Sequence, residues 1–175
     1  NYYVSKLLPL MREAGVAAIA NPLINITLQG RHDTYPKRRG LTRVPELLAA
    51  GVPVAFGHDC VMDPWYPLGS ADMLEVAAMG LHVAQTTGRD AMRACFDAVT
   101  TTPAAILGLE GYGIAPGARA DLVLLHARDP VEAIRLRAAR LAVVRAGKVV
   151  ATSPPARASL DLPGRPASVD WTPEK

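Results

Sequence analysis

"GVPVAFGHDC", residues 51–60, joins a helix-stopping glycine to a short apolar run and then to three chemically able side chains. The run Pro53 to Gly57 has apolar residues on both faces of a pleat, so it is read as a buried strand. His58, Asp59 and Cys60 follow it directly, where the chain must turn into a loop. Just upstream, "TRVPELLAAG" (42–51) is read as a helix, with Thr42 as N-cap, Pro45 in the first turn and Gly51 as the stop. Before it, a polar loop from about Asn25 to Gly40 follows "VAAIANPL" (16–23), a second buried strand ended by Asn21-Pro22. The first helix runs from Tyr3 to about Glu13, with Val4, Leu7, Leu8 and Met11 at helical spacing and Gly15 as its stop. Helix, strand, helix, strand with short connections is the pattern of a parallel sheet with crossover helices.

Downstream of "HDCVMDPWYPLG" (58–69), Ser70 is expected to cap a long helix carrying Met73, Val76, Ala77 and Leu81. Further helices are expected over Arg89 to Ala98 and Pro103 to Leu107. The character then changes. "GIAPGARADLVLLHA" (113–127) leads into a strand at Leu122 to Leu125, and "LAVVRAGKVVAT" (141–152) reads as a hairpin turning at Ala146-Gly147. The last third is therefore expected to form a separate antiparallel sheet, with a proline-rich, extended tail from Ser153. Two strand–helix units could make a small open sheet. They could equally be the closing part of an eight-unit barrel, which needs about 250 residues.

A chain of 175 residues, half of them apolar, is long enough for one full core. Its net charge of +3 is spread among interleaved acids and bases and does not point to nucleic acid. The cluster Lys37 to Arg39 is read as a solvated loop. Two distant cysteines fit a reducing, cytoplasmic setting and not a disulfide scaffold. No apolar run approaches the ~20 residues needed to span a bilayer, so no membrane partner is expected. The start, "NYYVSKLLPLM", has neither an initiator Met nor a secretory layout, which suggests a missing upstream portion.

Asp59 lies just past a strand's carboxyl end, where parallel sheets and barrels bind their ligands. There it is either a divalent-cation ligand and proton acceptor or a turn aspartate. His58 would point to the opposite face if strand geometry persisted, which makes it a hydrogen-bonding support. Cys60 would need a base and an electropositive setting to act as a nucleophile, and a semi-buried packing role is favoured. His32, His82 and His126 stand alone. A transition-metal site needs about three protein ligands, so these residues leave the constellation incomplete.

The strings "NPL-N-I-LQGR-DTYPKRRG-TRV" and "FGHD--DPWYPLG", continuing through "YGIAPGARADLVLL" and "GKVVA", resemble the later part of bacterial cytosine deaminases of the amidohydrolase superfamily. The resemblance covers only the C-terminal half of such enzymes. It implies an α/β fold, the C-terminal part of a TIM-like (β/α)8 metal-dependent hydrolase barrel, over residues 1–112. Residues 113–175 would supply strands of a small β-sandwich and the tail. It further implies that Asp59 is a metal ligand and catalytic proton relay. Cys60 and Trp65 would contact substrate, Trp65 in a loop closing over a pyrimidine, though Trp65 could instead be a packing residue.

The implied reaction is metal-dependent hydrolytic deamination of cytosine or a related amino-heterocycle, giving uracil and ammonia from cytosine, with iron or zinc as cofactor. The full-length enzyme would be a cytoplasmic homo-oligomer of pyrimidine metabolism, and the missing N-terminal half would complete the site. Two departures qualify this. The family's strand-one histidine pair, metal-binding strand-five histidine, nearby acid and strand-six histidine are not in the chain, and Cys60 stands where many cytosine deaminases carry a second Asp. Alternatives are an amidohydrolase acting on isocytosine, a triazine or a cyclic amide, and a non-catalytic binding fragment.

Overall fold

The computed structural model describes residues 1–38, 40–155 and 159–167. Arg39 of the basic cluster, and the parts of the tail at 156–158 and 168–175, lie outside the described residues.

The architecture is mixed α/β. Helix α1 (Tyr2–Glu13) ends at Gly15, whose φ of 66° closes the last turn as a left-handed residue. Strand β1 (Ala18–Ala20) follows and runs parallel to β2 (Val54–Phe56), with Ala18 opposite Val54 and Ala20 opposite Phe56. All three β2 residues are buried, as the unbroken apolar run required. Between the strands lie α2 (Pro22–Leu28) and α3 (Val44–Ala49). Two corrections apply here. Asn21-Pro22 does not simply end the strand: the proline starts α2, because a fixed φ and a missing N–H suit the first helical turn. Arg43, not Thr42, is the N-cap of α3.

The long helix α4 (Met73–Val83) is capped by Asp72, whose carboxylate accepts from Leu74 N at 2.7 Å. Ser70 does not cap it; its hydroxyl donates to the Glu75 carboxylate instead. Helices α5 (Arg89–Asp97) and α6 (Thr101–Ile106) complete the first layer. The Ala98 carbonyl at the end of α5 accepts from Phe56 N at 2.7 Å, closing the outer edge of β2 at that point.

The last third forms a three-stranded antiparallel sheet, β3 (Leu122–Leu125), β4 (Arg140–Arg145) and β5 (Lys148–Thr152), in that order. A helix not expected from the sequence, α7 (Pro130–Leu136), is inserted between β3 and β4. Asp129 caps it by accepting from Glu132 N at 2.8 Å. It packs on α4 and α5, and Ala133 and Ile134 are buried in the same core as Val54, Phe56, Val76 and Ala77. Arg140 on β4 adds a charged link, donating from Nη1 to Asp72 Oδ2 at 2.9 Å and from Nη2 to Oδ1. No described helix is long and apolar enough to cross a membrane.

Candidate functional site

The parallel register brings the carboxyl ends of β1 and β2 together, so Asn21 and the segment 57–60 emerge side by side. Gly57 N donates to the Ala20 carbonyl at 2.9 Å, extending the ladder one step past the strands. Gly57 is needed for a steric reason: a side chain there would collide with Asn21 Oδ1. With that space kept clear, Asn21 Nδ2 donates to Asp59 Oδ2 at 3.3 Å. Asn21 sits at the N-cap of α2, yet its side chain makes no capping bond.

Asp59 is exposed and adopts φ 66°, the left-handed region in which aspartate is among the better tolerated residues. The strand has therefore already broken, and alternation along a pleat does not decide where His58 and Asp59 point. The turn itself separates them: His58 goes into the protein and Asp59 out to the edge. Both side chains recorded against Asp59 are uncharged, the Asn21 amide and the Cys60 thiol, whose Sγ lies 3.7 Å from Oδ1.

Cys60 is half-buried beside two carboxylates. Hydrogen bonding to Asp63, then burial, then the charges of Asp63 and Asp59 push its thiol up to about 11. Such a thiol stays protonated near neutral pH, which removes the thiolate a nucleophile needs. The Asp63 carboxyl is held below its usual range, first by that thiol and then by the Tyr66 and Trp65 backbone N–H groups. Those N–H groups reach Asp63 Oδ1 at 2.8 and 2.9 Å. Met62 N also donates to the Leu68 carbonyl, at 2.9 Å, so the loop from 62 to 68 is closed on itself. It is pinned by Tyr66, only 3% exposed, while Trp65 stands 70% exposed at its tip.

His58 is buried, with its Nδ1 2.8 Å from the Cys60 carbonyl oxygen. Its Nε2 has no partner among the described residues. The ring meets Tyr66 edge-on at 6.3 Å, and Gly69 (φ 90°) passes so close that any side chain there would strike the imidazole. The other histidines take no part: His82 Nδ1 bonds the Ala78 carbonyl within α4, and His32 and His126 are exposed elsewhere.

Among the described residues, no three His, Cys, Asp or Glu side chains group together as a metal site. Asp59 offers one donor, so these residues do not hold a metal by themselves. The amidohydrolase family model matches residues 1–151. The chain belongs to the amidohydrolase family.

Within this amidohydrolase family, the chain is 40% identical over 157 residues to a pterin deaminase of Rhizobium rhizogenes, covering 87% of this chain and 35% of that protein. It is 35% identical over 109 residues to an N-isopropylammelide isopropyl amidohydrolase of a Pseudomonas species, covering 61% of this chain and 27% of that protein. A solved 5-methylcytosine deaminase from Klebsiella pneumoniae, liganded with 5-fluorocytosine, superposes with a TM-score of 0.87 at 42% identity. That match covers 91% of this chain and 39% of the solved one, so the chain spans well under half the length of these relatives.

Two contributors to the site were missed in the sequence, Asn21 and Asp63. Asn-Pro reads locally as a strand end, and nothing in its spacing from Asp59 signals a contact across 38 positions. Asp63 did carry a signal. An aspartate followed by Pro and then aromatic residues is an Asx-turn pattern, and the structure uses it as one.

Proposed function

We propose that the complete protein is a hydrolytic deaminase of a cytosine-like amino-heterocycle, to which this chain contributes a proton-relay carboxylate and a substrate wall. Residues 1–112 would be the last strand–helix units of a (β/α)8 barrel, and residues 113–175 part of a β-sandwich. The observation that carries the reading is Asp59. It is an exposed carboxylate at the carboxyl edge of a parallel sheet, tethered through Oδ2 by a neutral amide, on a chain 42% identical to a deaminase.

Asp59 is also the donor this chain would give to a divalent ion, iron or zinc, whose chemistry would be to activate water. The remaining ligands would come from outside the 175 residues. The chain's own part is proton handling. Asp59 accepts a proton as water adds to the amidine carbon, and returns it to the amino group that leaves as ammonia. Trp65 offers a flat apolar face to the ring.

Cys60 lies in contact with Asp59 and forms the wall beside it. A neutral thiol in place of a carboxylate removes a charge and two strong acceptors, so a ring substituent is better tolerated there. The likeness to a 5-methylcytosine deaminase supports 5-substituted cytosines as substrates. In the complete protein, Cys60→Asp is expected to move the ratio of kcat/KM for cytosine over 5-methylcytosine toward cytosine by about tenfold or more. An unchanged ratio means that Cys60 does not face substrate.

A second reading, a pterin or a triazine as the heterocycle, is favoured by the 40% and 35% identical relatives. Rates for cytosine, 5-methylcytosine, pterin and N-isopropylammelide on one enzyme preparation decide between them. The 175-residue chain alone is expected to release no ammonia from any of the four, since its described residues assemble no metal site. Turnover sensitive to Asp59→Ala would overturn that expectation.

A further inference from the structure

We infer that His58 is a positioning residue that sets both Asp59 and the Trp65 loop through one imidazole ring. This rests on the reading of Asp59 given above and deepens it. Nδ1 lies 2.8 Å from the Cys60 carbonyl oxygen, and a carbonyl can only accept, so Nδ1 carries the proton. That bond spans the turn whose middle residue is Asp59 at φ 66°, and it closes the turn around the carboxylate. Nε2 is buried and without a partner among the described residues. A buried polar atom left unpaired is a cost that a phenyl or isobutyl group in the same space would not carry. What histidine adds is the Nδ1–H donor.

The far edge of the ring does different work. Gly69 passes against Cε1 and Nε2, and Tyr66 lies edge-on to the ring. These two residues bracket the end of the closed loop that presents Trp65. Rotation or loss of the ring therefore displaces two things: the Asp59 turn, read in kcat, and the Trp65 loop, read in KM.

Asparagine can place an N–H near the Nδ1 position, whereas glutamine places its amide near Nε2. His58→Gln is therefore expected to lower kcat about 10- to 100-fold and to raise KM, in the range for residues that orient a site from behind. His58→Asn is expected to lose severalfold less. Equal losses in the two variants overturn the inference. On the unsubstituted complete protein, nitrogen-15 NMR of the ring is expected to show a protonated Nδ1 with a protected proton. The Nε2–H tautomer overturns the inference even if both variants fail to fold. If the protonated Nδ1 and the rescue hold while Asp59→Asn keeps full turnover, the catalytic reading of Asp59 fails and the positioning of the turn stands.

Discussion

Asp59→Asn in the complete protein is expected to remove most of the turnover while leaving the fold intact. Asparagine has nearly the same shape and tolerates the left-handed backbone that residue 59 adopts. The side chain is exposed and its recorded partners are neutral, so no ion pair recorded for it is lost. The stability change should stay within about 0.5 kcal/mol. An amide oxygen, however, cannot take and return a proton in the working pH range. The expected fall in kcat is about a thousandfold, inside the span that general acid–base groups contribute. Steady-state rates set beside a circular-dichroism melt separate this from unfolding. Near-native rates would end the proposal that Asp59 relays the proton.

The second large effect is on stability. Asp72 caps α4 through Leu74 N and at the same time binds Arg140 of β4 through both oxygens. Asp72→Ala removes the cap, worth about 1 kcal/mol, and leaves a partly buried guanidinium without its acceptor, worth about another 2. A loss of about 3 kcal/mol is expected by denaturant titration. Asp72→Asn should cost less, about 2 kcal/mol, because its side chain still caps. Loss of 0.5 kcal/mol or less in the alanine variant would show that the link contributes nothing. The pH dependence has a definite sign. The Arg140 hydrogen bond holds the Asp72 carboxyl below its usual range, against the opposing effect of burial. This contribution is therefore complete above the ordinary carboxylate pKa and fades as pH falls through and below it. Salt should weaken it in part, since both side chains keep some exposure.

Much of the fold was legible because its signals are local. The unbroken apolar run at Pro53 to Gly57 could only be a covered strand, and Gly15 and Gly51 stop their helices with φ of 66° and 76°. Ala146-Gly147 turns the final hairpin with both residues at positive φ. The misplaced caps have one physical cause, competition between nearby candidates. Ser70 and Asp72 both suit the start of α4, and the pairing of Asp72 with Arg140, 68 positions away, favours Asp72. Helix α7 was passed over although Asp129, Pro130 and Glu132 spell a helix start. At seven residues its stability comes from burying Ala133 and Ile134 against α4 and α5, which no local pattern reports.

On the residues alone Asp59 was legible only as a cation ligand or a turn aspartate, since aspartate is common in loops; the ligand and proton-relay role came from the resemblance. His58 points away from Asp59 because of the turn and not because of strand alternation, since the chain leaves strand geometry before Asp59. The Asn21 contact and the closed loop around Asp63 depend on the parallel register of β1 and β2 and on the burial of Tyr66. Both are products of the tertiary fold.

Helix α7 also limits how the family's parts can be recombined. It leaves the antiparallel sheet between β3 and β4, drives Ala133 and Ile134 into the core shared with α4 and α5, and returns. A chimaera cut near residue 113, with the C-terminal sheet taken from another amidohydrolase, would bring a foreign α7 onto native α4 and α5. Each mismatched methyl group there would be felt as a void or a clash. Moving the crossover upstream of Asp72 transfers α4, α5, α7 and the Asp72–Arg140 link as one graft, while Asp59 and its turn stay with the recipient.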